Sequence, residues 1–194
     1  MMEIMITHIE IVFIALLLAM ASAFVSMKYI EKRDRTYMGP WYIILPQVGD
    51  EKGMYTRTWY TLTALFGLKK DEQIYFVAET DHSGKPLISG NDYQIKGGGF
   101  ECRWWNITVY GQDGYLLGNP ENRYSFSNFD ILKRNDIHYT IHLSSDKKDG
   151  NWLFSGKKGE KFSIMLRINH PTKDMVANPG GIVLPLIIKE NGNA

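Results

Sequence analysis

The chain divides by the period of its apolar residues. From Ile11 to Met27 the run IVFIALLLAMASAFVSM holds no charge, and Ile4, Ile6 and Ile9 carry the apolar character further toward the N-terminus. About 17 residues is the lower limit for a helix that spans a bilayer. Between Tyr55 and Leu68, Trp59, Leu62, Leu65 and Phe66 recur at helical spacing with Gly67 as a stop. This predicts a helix laying one stripe on a sheet. Beyond Asp71 the period falls to two. Ile74, Phe76 and Ala78 alternate with Tyr75, Val77 and Glu79, and Trp105, Ile107 and Val109 alternate with Trp104, Asn106, Thr108 and Tyr110. Ile137, Tyr139, Ile141 and Leu143 then alternate with His138, Thr140, His142 and Ser144, and Phe162, Ile164, Leu166 and Ile168 with Met165, Arg167 and Asn169. Each pattern predicts a strand with one buried face.

Turn signals separate these strands. Asp81-His82-Ser83-Gly84-Lys85-Pro86 and Gln112-Asp113-Gly114 are two of them, and Gly97-Gly98-Gly99 offers either positive φ or room for a close approach by another segment. Pro185 confines the last apolar run, Ile182 to Ile188, to an edge or a bulge. The expected fold is mainly β: an antiparallel sandwich or jelly-roll-like domain with one or two peripheral helices, behind a single N-terminal transmembrane helix. The boundaries follow as 1–35 for the helix with its juxtamembrane extension and 36–194 for one domain. Met38-Gly39-Pro40 is expected to break the helix, and Trp41 and Tyr42 suit the membrane interface.

Charge refines the reading of the leader. Ala21-Ser22-Ala23 has the form of a signal-peptidase site, so cleavage and export is the alternative to a retained anchor. Glu3 and Glu10 precede the apolar run, however, while Lys28, Lys32, Arg33 and Arg35 follow it, which is the reverse of a signal peptide and favours an anchor contacting lipid through residues 4–30. The positive-inside rule would hold the body on the cytoplasmic side; the segment Lys28 to Arg35 would either attract anionic lipid as a basic collar or, with its basic and acidic residues alternating, form a solvated helical extension. Across the whole chain 22 Lys and Arg balance 21 Asp and Glu, and no basic stripe runs through the body, so nucleic acid is a poor partner.

Candidate chemistry is sparse. Cys102 is the only cysteine, which excludes an intramolecular disulfide and a cysteine-based zinc site, and it reads as a small buried hydrophobe. His138 and His142 lie in a strand pattern, where four residues separate their Cα atoms by roughly 13 Å, too far for one metal ion. No Gly-x-Ser-x-Gly elbow and no phosphate-binding loop occur, and no pattern calls for a cofactor. The densest polar-aromatic stretch is Tyr110 to Tyr124. In it Arg123 offers a planar fork for a carboxylate, and Tyr115 and Tyr124, with Trp104 and Trp105 before them, offer flat faces for a sugar or ring. The candidate ligand-binding set is Trp104, Tyr110, Asp113, Tyr115, Asn119, Asn122, Arg123, Tyr124 and His142. Against it stands a structural reading, in which the asparagines order a long loop and Arg123 pairs with a carboxylate.

Several of these segments in order resemble one known family. Arg103-Trp104-Trp105-Asn106-Ile107-Thr108-Val109-Tyr110, Asp113-Gly114-Tyr115-Leu116, Asn119-Pro120-Glu121-Asn122-Arg123-Tyr124, Asp81 to Leu87, Tyr93, Asn151-Trp152-Leu153 and the strand from Phe162 to His170-Pro171 are similar to the bacterial domain of unknown function 1214. The resemblance implies a β-sandwich-like domain of the short form with an N-terminal apolar segment, and it carries over no assignment of catalytic residues. Family members often place a hydrophobic, proline-rich loop where Gly97 to Gly99 stand here. The functional expectation is a membrane-anchored binding or accessory module for a small polar or carbohydrate-like ligand, or for a neighbouring membrane protein or second copy. One alternative is an enzyme in which Asp113, Arg123 and His142 or His82 converge in a cleft. Another is a structural subunit marked by an apolar patch near Trp41 and Tyr42.

Overall fold

Helix α1 runs from Met2 to Arg33 in a computed structural model that describes residues 2–44, 68–119, 121–134 and 138–190. The stretch His8–Tyr29 is long and apolar enough to cross a membrane. The expected helix from Tyr55 to Leu68 falls, but for Leu68, outside the described residues. Among the described residues eleven strands follow α1: β1 (Arg35–Met38), β2 (Trp41–Ile44), β3 (Gln73–Ala78), β4 (Tyr93–Gly97), β5 (Cys102–Gly111), β6 (Ser125–Ser127), β7 (Lys133–Arg134), β8 (His138–Ser144), β9 (Trp152–Phe154), β10 (Phe162–Pro171) and β11 (Leu186–Lys189). A short helix α2 (Lys173–Ala177) lies between β10 and β11.

The strands form two sheets. The first has the order β1-β2-β3-β10-β5-β6, and the second β11-β4-β8-β7, with β9 also on β8. All pairs are antiparallel except β8 with β9. The period of two decides which side each residue takes. Ile74 and Phe76 of β3, Ile107 and Val109 of β5, and Ile164, Leu166 and Ile168 of β10 point inward and meet Ile95, Ile141, Leu143 and Ile187 of the second sheet. Aromatic pairs tie the sheets together: Trp105 stacks on Tyr139 at 5.0 Å, and Tyr93 meets Phe162 edge-on at 5.8 Å. The fold is thus mainly β, two facing sheets behind one apolar helix. Pro185 stands immediately before β11, whose pairing to β4 makes it the edge of the second sheet, as its proline requires.

Two expectations about the entry to the domain are corrected. The helix stops at Arg33, ahead of Gly39-Pro40, and those two residues instead turn β1 back on β2, Gly39 having a φ of +63°. Pairing across this hairpin satisfies backbone groups that a longer helix would leave at its own end. Trp41 and Tyr42 are core residues: Trp41 is fully buried and its indole donates to the Pro185 carbonyl at 2.8 Å, while the buried Tyr42 donates its hydroxyl to Glu79 at 2.9 Å. An indole with an internal acceptor gains nothing from a headgroup layer.

Gly97 answers the question left by its triplet. Its φ is not positive; its role is close approach, since a Cβ there would stand 2.7 Å from the Tyr139 hydroxyl and 3.1 Å from Pro185. Tyr139 is buried and held against Trp105, so it has little room to retreat. Gly97→Ala is expected to cost about 2 kcal/mol through overpacking, read as a lower midpoint in denaturant.

The turn after β3 is organised by Asp81. Its buried carboxylate accepts from the Ser83 amide at 2.8 Å, the Ser83 hydroxyl at 2.6 Å and the Lys85 amide at 3.0 Å. Burial works against the charge, but these hydrogen bonds prevail and hold the carboxyl below its ordinary pKa. A carboxyl with a lower pKa folded than unfolded stabilises the fold above its unfolded pKa, and that stability is lost as pH falls through the folded value. The melting temperature of Asp81→Asn should therefore trail the parent at neutral pH by an amount worth about 1–3 kcal/mol. The gap should close below roughly pH 4.

Candidate functional site

Alternation along β3, β5 and β10 that buries one set of side chains puts a polar and aromatic set on the opposite, outer face of the first sheet. Register aligns these residues in rows: Tyr75 and Asn106 lie on either side of Arg167, and Val77 and Thr108 on either side of Met165. Arg167 is the centre of the face. Its guanidinium donates to the Tyr110 hydroxyl at 2.5 Å and to Thr108 Oγ1 at 3.3 Å, and it lies 5.4 Å from the Tyr110 ring and 6.0 Å from the Tyr75 ring. Burial pushes the Tyr75 phenol above its ordinary pKa, against a downward pull from Arg167. Arg167 is half-buried, and no described carboxylate pairs with it. Beside it, Asn106 donates to Thr108 Oγ1 at 3.0 Å, but its buried Oδ1 has no partner; Asn169 Nδ2, next on the same face of β10, also has none.

The end of α1 meets this face. A cleft of about 1010 Å³ opens between them, with Phe24, Met27, Lys28 and Lys32 on the helix side and Val77, Tyr110, Tyr115, Leu116, Met165 and Arg167 among the residues on the sheet side. Among the described residues five cations line it, Lys28, Lys32, Arg35, Lys161 and Arg167, against the one carboxylate of Glu79. That carboxylate is engaged already, by Arg35 at 3.2 Å and by Tyr42. The cleft is therefore electropositive with apolar walls, suited to a ligand that carries negative charge on an apolar body.

The candidate residues named from sequence are divided by the structure. Tyr110 and Tyr115 line the cleft. Asp113 orders the hairpin tip, accepting from the Tyr115 amide at 3.1 Å. Asn119 closes the following loop: its side-chain amide donates to the carbonyls of Leu117 and Arg123, and its Oδ1 accepts from the Arg123 amide at 3.3 Å. Asn122 takes a φ of +52° and accepts from the Tyr124 hydroxyl at 3.3 Å. Arg123 lies over the Phe126 ring and pairs with Asp130 at 2.8 Å, both half exposed. Trp104 is on the outer face of the first sheet, at Asn169, away from the Tyr110 end of β5. His142 is on the outside of the second sheet, 3.3 Å from Glu190, so the sandwich stands between it and Tyr110. His82 accepts from the Ile187 amide at 2.9 Å. Cys102 is half-buried at the core margin, where burial pushes its thiol up to about 11 and keeps it protonated.

Arg167, Lys161 and the helix-end lysines were not among the candidates. The signal for Arg167 is a cation at an outward-facing position in the middle of a strand, but its lack of a carboxylate partner is visible only in three dimensions.

Comparison with known proteins now adds the family. A profile described as a protein of unknown function, DUF1214, matches residues 72–173, more than half of the chain. The chain belongs to the DUF1214 family. The matched part of this DUF1214 protein includes every sheet residue that surrounds Arg167, whereas α1, β1 and β2 lie before it. Among solved structures the DUF1214 chain is similar to the VPA0106 protein from Vibrio parahaemolyticus, at 23% identity and a TM-score of 0.60 over 73% of this chain. It spans 36% of that protein's chain, so the likeness is one of fold. An uncharacterized protein from Burkholderia cenocepacia aligns at 9% identity and a TM-score of 0.42, over 90% of this chain and 50% of its own. A search of curated proteins finds no match.

Proposed function

We propose that this DUF1214 protein is a single-pass, membrane-anchored binding module that holds a small anionic ligand in the cleft between α1 and the first sheet. The observation that carries the reading is Arg167: a half-buried guanidinium satisfied by neutral hydroxyls alone, in a cleft where cations outnumber carboxylates five to one. A half-buried charge without a counter-charge carries part of the cost of burial, and a bound anion relieves it. Support for the anchor comes from α1, whose large apolar side chains from Ile9 to Val25 are more than half exposed. Among the described lining residues there is no cysteine, which favours binding over thiol chemistry, and the one carboxylate, Glu79, is held by Arg35 and Tyr42.

The test uses the full chain. Alkaline extraction of membranes should leave it in the pellet with Met1 intact, whereas a released protein starting near Phe24 would remove the anchor. In detergent, a screen of small organic acids and acidic sugars should find ligands that raise the melting temperature of the parent and not of Arg167→Gln. A ligand whose shift survives that substitution binds elsewhere.

A further inference from the structure

We infer that the occupant of this cleft is the headgroup of an anionic phospholipid, its phosphate on Arg167 and its acyl chains along the end of α1. The inference rests on the binding-module reading and adds the ligand's class. The cleft has a membrane side: Phe24, Met27 and Lys28 belong to the apolar stretch His8–Tyr29. Met27 is the one residue of that stretch that is half-buried, while its neighbours are exposed, so the helix touches the body here and faces outward elsewhere. A molecule in the cleft thus has one end against side chains of the bilayer-spanning segment and the other against the sheet.

The two ends differ in chemistry. Arg167 offers a planar fork beside Tyr110 that matches phosphate oxygens, and Lys161, six residues back along the chain, lines the same cleft and adds to its positive field. Phe24, Leu116 and Met165 form apolar wall that free phosphate would leave unused. A volume of about 1010 Å³ also exceeds what one phosphate fills and accommodates a headgroup, glycerol and the first methylenes. Charge sets the preference among lipids, since a zwitterionic headgroup would bring its own cation into a cleft that already has five.

The full chain in nanodiscs made from an equal mixture of phosphatidylcholine and phosphatidylglycerol, released into native mass spectrometry, tests this. The parent should retain one phosphatidylglycerol with a preference of about tenfold over phosphatidylcholine, as expected for one charge-assisted contact. Arg167→Gln should lose the preference, and Lys161→Gln, an exposed change, should weaken it if Arg167→Gln does not fold. Lys133→Gln, on the second sheet, should leave it unchanged. Retention of phosphatidylglycerol equally by folded Arg167→Gln would overturn the assignment in favour of diffuse attraction to the helix collar. In a parallel arm inorganic phosphate is added to the detergent-solubilised protein. A thermal shift there that depends on Arg167, without lipid retention, would overturn the lipid and leave the binding module standing. No shift and no retention would overturn the lipid, and would overturn the binding module as well if the organic acids and acidic sugars also give no shift that depends on Arg167.

Discussion

Truncating Trp105 to alanine should lower the unfolding free energy by about 4 kcal/mol, a large part of the roughly 5–15 kcal/mol that stabilises a domain. The side chain is 2% exposed and bridges the sheets, stacked on Tyr139 of β8 at 5.0 Å and meeting Phe100 edge-on at 5.5 Å. Its loss removes a large buried area and leaves a cavity that the facing strands, held by their ladders on both sides, cannot close. Trp104→Ala is the internal control. That residue is adjacent in sequence but half-buried on the outer face, so its truncation should cost about 1 kcal/mol. Equal losses in paired denaturant melts would mean that the two faces of β5 are misassigned.

Asn151→Ala should cost about 3 kcal/mol through hydrogen bonds alone. Asn151 is buried, its side-chain amide donating to the Leu132 carbonyl at 2.7 Å and the Thr140 carbonyl at 2.9 Å while its Oδ1 accepts from the Leu132 amide at 2.8 Å. One side chain thereby ties the segment before β7 to β8, replacing a rung that the main chain does not form. Alanine strands three backbone groups. Asn151→Asp should be no better, because a carboxylate keeps the bond from the Leu132 amide but cannot donate to the two carbonyls. Amide exchange at Leu132 should accelerate in both variants before global unfolding, and unchanged protection there would remove Asn151 from this role.

These residues show how differently chain and fold inform. Trp105 could be assigned inward from its alternation with Trp104 and Asn106, because a strand with one dry face must repeat every two residues. Nothing local reveals that Asn151 substitutes for a strand, since its acceptors come from segments 11 and 19 residues away. The pair of Arg123 with Asp130 is of the same kind: seven residues separate them, and only the fold of the intervening chain makes them neighbours. Trp41 shows the converse error, in which a composition typical of a membrane interface sits in a core because Pro185, 144 residues on, supplies its acceptor.

Periodicity and charge in the chain alone determined the longer strands after Asp71 and the inward and outward sides of β3, β5, β8 and β10, the edge position imposed by Pro185, and the apolar helix with its basic end, but not the short strands β6, β7 and β9. Strand order, the parallel β8–β9 pair, the β1–β2 hairpin and the cleft around Arg167 were decided by the tertiary structure. Side-chain alternation is a property of one strand, whereas a pairing partner or an unpaired charge is a property of segments that meet only after folding.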